Sequence, residues 1–313
     1  MSWSGKCLWC GGHLIFFKEL TDVNLSHYRD PVPYGRCEEC GSLSQLSPLN
    51  LQQLGQAYSE SYWVEKEDDS LLRKLALWYQ QKIVSWDQGL FLCRVLDTLE
   101  GKRILEIGPG RGDFLVWAKA QGAIASGWER SQKAVSSLKA KGLKAESVIL
   151  EDISHWPNSG ATWDVIVGFH VLEHLVEPVK IVAGLLSRLA PDGLLLFQVP
   201  RIDSWQAIML GQHWYGLEVP RHVSIPSMKG LKQWSALLNL ELEDWKHFSL
   251  RDNAFCILAS LFPSVIPHRA EFGGLRLIGL LVGTWLLQPL AFLEALTGRG
   301  GTVMMAFRRK TSP

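Results

Sequence analysis

The chain has 313 residues, which is enough for one large α/β domain and a small additional module. Its 32 basic and 31 acidic residues give a formal net charge of +1, and no block of five like charges occurs, so the composition argues against a nucleic-acid partner. The N-terminus, MSWSGKCLWC, lacks the apolar segment that a secretion signal needs. We therefore expect a cytoplasmic protein that binds no nucleic acid.

Two cysteine pairs mark the N-terminal region. They are Cys7 with Cys10 and Cys37 with Cys40, each a CxxC sequence followed by glycine, with 26 residues between them. In a chain without a secretion signal this pairing favours a metal site over disulfides. Two such turns supply the four thiolates of a closed structural zinc site. We predict a zinc-binding module over residues 1–48, and four buried or redox-active cysteines are the alternative.

Residues 49–100 are expected to form a helical linker or cap. Apolar residues from Leu71 to Tyr79 recur at helical spacing, and a second helix is predicted to end near Thr98. This segment connects the cysteine module to the larger domain that follows.

The larger domain is organised around the sequence RILEIGPGRGDF, from Arg103 to Phe114. Its apolar start predicts a short buried strand, the glycines at 108, 110 and 112 predict a tight turn, and an apolar helix follows. Glycine lets the backbone approach a ligand, and a helix N-terminus presents free N–H groups. The spacing differs from the G-x-G-x-x-G of dinucleotide sites, because position 113 is Asp. Glu106 suits a ligand with an ammonium and a sulfonium group.

The pattern acid-x-G-x-G-x-G resembles that of class I S-adenosylmethionine (SAM) methyltransferases. The resemblance implies an α/β fold for residues 101–313, with a doubly wound, Rossmann-like sheet of seven strands. From the spacing, Glu129 ends the second strand 19 residues after Gly110, where such folds place a carboxylate for the ribose hydroxyls, although an exposed Glu is the alternative. The residues expected to hold SAM are Glu106, Gly108, Gly110, Glu129, Asp152, Phe169 and His170.

The sequence HVLEHL follows the predicted fourth strand and carries two histidines and an acid. His170, Glu173 and His174 form H-x-x-E-H, the inverted zinc-protease motif. A protease is disfavoured, because the motif begins at the end of a strand and no third ligand helix follows. The stretch instead resembles a small-molecule branch of the SAM methyltransferases, in which Glu173 and His174 open the next helix near the substrate. His174 is therefore one candidate for a general base.

A second candidate base lies in the loop from Gln212 to Ser224. The sequence W-x-G-x-x-x-P-R-H in this loop resembles the same branch and ends at His222. The alternative for His222 is a structural histidine. Ser227 is expected to cap a helix from Met228 to Leu238.

An apolar insertion separates the predicted strands six and seven, Leu240–Phe248 and Thr302–Phe307. The insertion covers residues 249–301 and includes an uncharged run, Leu277–Leu293, interrupted by Pro289. A packed helical hairpin, a helix lying in the membrane interface and a membrane span are the three interpretations. The two glycines and the proline of the run make a straight span the poorest fit.

The predicted function is SAM-dependent methyl transfer to a small-molecule acceptor. The cysteine module, followed by a Y-x-x-x-Y-W sequence at Tyr58, resembles the N-terminal part of bacterial methyltransferases that act on sugars or surface-polysaccharide precursors. This resemblance implies a sugar or cell-surface precursor, lipid- or nucleotide-linked, as acceptor. The apolar insertion adds the expectation of peripheral contact with the inner face of the membrane. The alternatives are a SAM-binding scaffold without turnover and an NAD-linked oxidoreductase, which Asp113 disfavours.

Overall fold

The apolar residues of Arg103–Ile107 form a strand that is buried on both faces, as expected for the interior of a parallel sheet. The structure, a computed structural model, describes residues 5–22, 30–47, 71–157, 162–263 and 274–310. The Y-x-x-x-Y-W sequence and residues 49–70 of the predicted linker lie outside these ranges.

Strands and helices alternate from residue 103 onward, as predicted. The strands are β1 (Leu14–Leu20), β2 (Val32–Cys37), β3 (Leu43–Gln45), β4 (Arg103–Ile107), β5 (Ile124–Glu129), β6 (Lys144–Ser147), β7 (Trp163–Phe169), β8 (Leu189–Pro200), β9 (Ser224–Ile225), β10 (Leu240–Lys246) and β11 (Thr302–Arg309). The helices are α1 (Leu71–Val95), α2 (Asp113–Ala120), α3 (Gln132–Ala140), α4 (Pro178–Leu186), α5 (Trp205–Leu210), α6 (Met228–Leu237), α7 (Asp252–Leu261) and α8 (Gly274–Leu296).

The described chain divides into two compact units. Unit 1 comprises residues 1–81, 200–231 and 247–303, and unit 2 comprises residues 82–199, 232–246 and 304–313. The boundaries that we predict at residues 48 and 100 remain predictions.

Unit 2 contains a seven-stranded sheet with the order β6-β5-β4-β7-β8-β11-β10. The neighbouring strands from β6 to β8 are parallel, and β11 pairs with β10 in antiparallel orientation. The core on this sheet includes Ile104, Phe114, Leu138, Val165 and Leu196. The predicted doubly wound, seven-stranded methyltransferase sheet is therefore confirmed.

Residues 190–193 lie within β8, where an irregularity in the pairing with β7 absorbs the extra residues between Leu189 and Leu194. One local expectation in unit 2 is wrong. Glu173 and His174 do not open a helix: they lie in a single 3₁₀ turn, and α4 begins at Pro178. Proline at the first helical position explains this start, since its fixed φ suits a helix N-terminus.

Unit 1 contains a four-stranded antiparallel sheet with the order β1-β2-β3-β9. Strands β1 and β2 lie in the spacer between the cysteine pairs and pair in antiparallel orientation. Strand β9 is remote in sequence, yet Ile225 pairs with Leu43 and Ser224 pairs with Ser44. This pairing joins the cysteine region to the loop that ends at His222.

The apolar insertion also belongs to unit 1, where α7 and α8 pack together. Ala254 and Ile257 of α7 form a small core with Ala291 of α8. Gly283 permits the close approach, since a Cβ at this position would lie 3.0 Å from a side-chain atom of Leu258. Among the described helices, only the segment Ile278–Leu296 of α8 is long and apolar enough to cross a membrane, judged by length and composition alone.

Candidate functional site

The glycine loop leaves the carboxyl end of β4 and leads into α2. Gly108, Gly110 and Gly112 all have positive φ, at 63°, 53° and 76°. A Cβ at Gly108 would lie 2.8 Å from Val171, and one at Gly112 would lie 2.4 Å from Leu138. At Gly110 a Cβ would meet no atom within 4 Å. Gly108 and Gly112 are thus required by packing, whereas Gly110 borders open space at the edge of the sheet where α/β folds bind ligands.

Two carboxylates lie beside this loop. Glu106 is buried, and its burial, followed by the negative charges of Asp113 and Glu129, holds the pKa of its carboxyl well above the usual range. Within the described residues, Oε2 of Glu106 accepts no hydrogen bond. Burying a carboxyl without a hydrogen-bond partner lowers the stability of the fold. A bound cation beside it would offset the desolvation of the carboxylate.

Glu129 ends β5 and is fixed by backbone donors. The amide of Gly110 donates to its Oε2, and the amide of Ser131 donates to its Oε1, both at 3.0 Å. The structure therefore brings Glu106, Gly110 and Glu129 together, as the spacing predicts. Their assignment as SAM ligands remains a prediction.

Asp152 follows β6 at the same edge of the sheet but is exposed. Its Oδ1 accepts hydrogen bonds from Nδ1 of His155 and from the hydroxyl of Ser154, both at 2.8 Å. The bond from His155 is the main cause that lowers the pKa of Asp152. The carboxylate stays ionised and is positioned by its own turn, which suits an acceptor for the adenine amino group.

Phe169 and His170 stand at the carboxyl end of β7. The Phe169 ring packs 5.1 Å from the ring of Phe114 at the start of α2. His170 has a φ of 56°, which is rare for a residue other than glycine. Its backbone amide donates to the carbonyl of Gln198, and its Nδ1 lies 3.0 Å from Oε1 of Glu173. Strain at such a position is typical of functional sites.

Glu173 is a residue whose role the sequence analysis missed. Its side chain is fully buried, and its Oε1 lies 3.0 Å from Nδ1 of His170, so it orients the imidazole. The signal was present in the i, i+3 spacing of H-x-x-E, which we related only to metal binding.

The two candidate bases belong to different units. His174 is half-buried in the 3₁₀ turn of unit 2. His222 is buried in unit 1, with Nδ1 2.9 Å from the carbonyl of Gly216 and Nε2 3.2 Å from Oε2 of Glu218. The Tyr34 hydroxyl donates to the His222 carbonyl at 2.7 Å. His222 therefore has a clear structural role, and its use as a base remains a prediction.

A buried ion cluster surrounds this loop and was not predicted. Arg221 is completely buried, and its Nε donates to Glu218 at 3.0 Å, while Nη2 lies 3.9 Å from Asp22. Gln45 of β3 donates to the carbonyl of Pro220 at 2.7 Å. Buried charges of this kind need partners on several segments, so sequence spacing alone could not reveal the cluster.

The four predicted zinc ligands come together at one end of the four-stranded sheet. Sγ of Cys7 lies 3.6 Å from Sγ of Cys40, Sγ of Cys10 lies 3.4 Å from Sγ of Cys37, and all four atoms lie within 4.8 Å of one another. Four sulfurs around a tetrahedral zinc with bonds near 2.3 Å would be about 3.8 Å apart. The arrangement fits a four-thiolate metal site.

Comparisons with known proteins agree with the fold. The family model "Methyltransferase domain" matches residues 86–244. The ubiquinone biosynthesis O-methyltransferase of Marinobacter nauticus is 26% identical over 102 residues, which are 31% of this chain and 43% of that protein. The enzyme of the same name from Pasteurella multocida is 22% identical over 146 residues, which are 42% of this chain and 60% of that protein. The chain therefore covers less than two thirds of these relatives.

A solved structure of a SAM-dependent methyltransferase from Mesorhizobium loti has 15% sequence identity and a TM-score of 0.45, and the match covers 76% of this chain and all of that one.

The seven-stranded sheet and the acid-glycine loop at its carboxyl edge define a class I methyltransferase type of domain. The family model covers half of the chain, and the chain belongs to this methyltransferase family.

Proposed function

We propose that the protein transfers a methyl group from SAM to a small-molecule acceptor. The observation that carries this proposal is the open space beside Gly110, next to the desolvated carboxyl of Glu106. A ligand with an ammonium and a sulfonium group would occupy that space and offset the cost of the buried acid. A phosphate-bearing dinucleotide would instead bring its phosphates next to the acid Glu106.

The residues at this edge of the sheet would each contact a different part of SAM. Glu106 would face the cationic end of SAM, the backbone at Gly108 and Gly110 would allow close approach, and Glu129 would accept from the ribose hydroxyls. Asp152 would accept from the adenine amino group, and Phe169 with His170 would line the methyl end. SAM supplies a methyl group that is already activated by its sulfonium. The protein's main contribution is then the alignment of the acceptor for in-line displacement.

A base is needed only when the acceptor must lose a proton. His174 and His222 remain the proposed bases. The geometry adds His170, since Glu173 holds its Nδ1 and thereby fixes the imidazole for proton transfer through Nε2.

We propose a lipid- or nucleotide-linked sugar, or another cell-surface precursor, as acceptor. The resemblance of the N-terminal module supports it. The relatives named ubiquinone biosynthesis O-methyltransferases support O-methylation as the reaction type. A cytoplasmic protein with peripheral contact on the inner face of the membrane fits such an acceptor.

We also propose one structural zinc ion, held by Cys7, Cys10, Cys37 and Cys40. Gly11 and Gly41 follow the two pairs with φ of 77° and 78°, and each amide donates to the carbonyl of the first cysteine of its pair at 2.9 Å. The two turns are therefore equivalent, as expected for a pair of metal-binding knuckles. Elemental analysis of purified protein should give one zinc per chain, and protein without zinc or iron would contradict the proposal.

Thermal unfolding with SAM, its demethylated product and NAD tests the main proposal. At a hundredfold excess over its dissociation constant, a ligand should add about 2.7 kcal/mol to the free energy of unfolding. Gly110→Val should abolish the shift, because the new side chain fills the ligand's space. Gly101→Val is the matched control, since Gly101 also has positive φ and open surroundings but precedes the opposite end of β4.

Stabilisation by NAD and not by SAM would overturn the assignment. Stabilisation by SAM without methyl release over a broad acceptor panel would favour the scaffold alternative over an enzyme.

A further inference from the structure

Helix α8 turns an entirely apolar side away from the rest of unit 1. Eight of its side chains are 41 to 75% exposed: Ile278, Val282, Trp285, Leu286, Leu290, Phe292, Leu293 and Leu296. At 100° per residue these positions fall within an arc of about 160°, and they extend over about 27 Å of helix. A surface helix normally shows polar residues on this side, so α8 is the reverse of an ordinary amphipathic helix.

The inner side of α8 is held by protein. Leu280 and Ala291 are buried, and Gly283 approaches Leu258 of α7. Glu294 also points inward, where the amide and side chain of Gln206 donate to its two oxygens at 2.9 and 2.7 Å. Among the described side chains of α8 this is the only charge, and it is buried. Membrane crossing by α8 would break these contacts, so only the outer side is available.

Neighbouring segments enlarge this surface. The bonds from Gln206 place α5 beside the end of α8, and α5 exposes Ile208 and Met209. Tyr79 of α1 packs 6.1 Å from the ring of Trp285, next to the exposed Trp78. We call these residues together with the outer side of α8 the apolar face. Contiguous apolar surfaces of this kind mark binding sites on soluble proteins.

The charges at its border indicate the partner. Arg299, which follows α8, lies over the ring of Trp205 at 4.9 Å, and the Trp205 indole donates to Thr297 at 2.9 Å. Arg251, before α7, is also exposed, and its Nε pairs with Oδ1 of Asp252 at 3.5 Å, so Arg299 is the cation that carries the argument. A tryptophan and arginine beside a wide aliphatic surface match the layers of a bilayer, with acyl chains inside and anionic headgroups at the edge. A protein interface typically carries about one hydrogen bond per 100–200 Å², whereas the described outer side of α8, Ile278–Leu296, carries no charge.

We infer that the apolar face docks the protein on the surface of a membrane containing anionic lipids, with α8 lying in the plane of the interface. This inference extends the peripheral location under the proposed function, but its test does not depend on SAM or on turnover.

Sedimentation of the full-length protein with phosphatidylcholine vesicles, with and without phosphatidylglycerol, tests the inference. The wild type should bind the anionic vesicles and bind the neutral ones more weakly. Leu286→Lys with Leu293→Lys should reduce binding to the anionic vesicles by roughly tenfold or more, because two charges would enter the acyl layer. Arg299→Gln should reduce binding to the anionic vesicles by about fivefold and leave binding to the neutral vesicles unchanged.

Leu237→Lys is the matched control, since Leu237 is 60% exposed on α6, outside the apolar face. It should bind vesicles as the wild type does, and every variant should keep its unfolding temperature. Wild-type protein that stays in the supernatant with both vesicles overturns the inference. A dimer that the double substitution converts to a monomer, without any effect on vesicles, would assign the face to a second copy of the chain instead.

Discussion

The burial of Glu106 has a cost in stability that its proposed contact with SAM would offset. In the folded protein burial and two neighbouring acids raise the pKa of its carboxyl. Below about pH 4.5 the carboxyl is protonated in both states and contributes nothing to the pH dependence. As the pH rises, the unfolded chain releases this proton first, so the group destabilises the fold progressively until the pH passes the raised pKa.

Glu106→Gln should therefore raise the unfolding temperature by a few degrees at pH 7 and have little effect at pH 4. The same change should weaken SAM binding by roughly tenfold or more, because a charged hydrogen-bond partner is lost. Unfolding curves between pH 4 and pH 8, with and without SAM, measure both effects. Glu146→Gln, on the exposed side of β6, is the control. A less stable variant with unchanged SAM affinity would show that Glu106 has another role.

The contact between His170 and Glu173 can also be tested at the residue scale. If His170 acts as a base, Glu173→Gln should lower kcat by about tenfold and His170→Ala by about a hundredfold, with SAM binding nearly unchanged. If His170 only holds SAM, the KM for SAM should rise and kcat should stay constant. Methyl-transfer kinetics at several pH values distinguish the two, because a base also shifts the pH profile.

At the scale of elements, the glycine loop combines the proposed binding position Gly110 with the packing position Gly112. Gly112→Val should lower the unfolding temperature strongly, since a Cβ there would collide with Leu138 and Leu143 of the segment that carries α3. In Gly110→Val the new Cβ would contact no neighbouring atom, so the variant should lose only about 1 kcal/mol of unfolding free energy through its backbone conformation. It should nevertheless abolish SAM binding. Equal destabilisation of the two variants in thermal unfolding would contradict this division.

The cysteine region connects to α6 through two serines. Ser227 caps α6, as predicted, because its hydroxyl accepts from the amide of Gly230 at 2.9 Å. The Ser227 amide donates to Ser42 at 3.0 Å, and the Ser227 hydroxyl also donates to the carbonyl of Cys40. A turn of the proposed metal site and the start of a helix therefore share one hydrogen-bond network.

The structural effect of losing the proposed metal should consequently extend beyond the cysteines. In Cys37→Ser, amide hydrogen exchange should rise in residues 224–230 as well as in residues 7–45. Ser227→Ala should lower the free energy of unfolding by about 1 kcal/mol, because the helix loses its cap. Cys93→Ser, at an exposed cysteine of α1, is the control and should leave exchange unchanged. Exchange that rises only near the cysteines would show that the serine network does not transmit the loss.

For the whole molecule, we expect SAM to change amide exchange in unit 2 and removal of zinc to change it in unit 1. SAM should slow amide exchange in unit 2, at residues 103–113 and 124–131, because the glycine loop and the end of β5 would contact it. A zinc chelator should accelerate exchange in unit 1, in β2, β3 and β9. Exchange measured on the full-length chain checks both effects. Protection of unit 1 alone by SAM would place the cofactor site elsewhere.

Much of this protein follows from local patterns in its sequence. The strand-glycine-helix unit, the cluster of four cysteine sulfurs and the cap at Ser227 follow from short sequence motifs, so spacing predicts them. The pairing of β9 with β3 joins residues about 180 positions apart, and only the tertiary structure decides it. The same holds for Arg221, whose buried charge requires partners from separate segments. Helix α8 is apolar around most of its circumference, so periodicity could not tell which side is covered. The packing of α7 and α5 against its inner side decides that the outer side remains exposed.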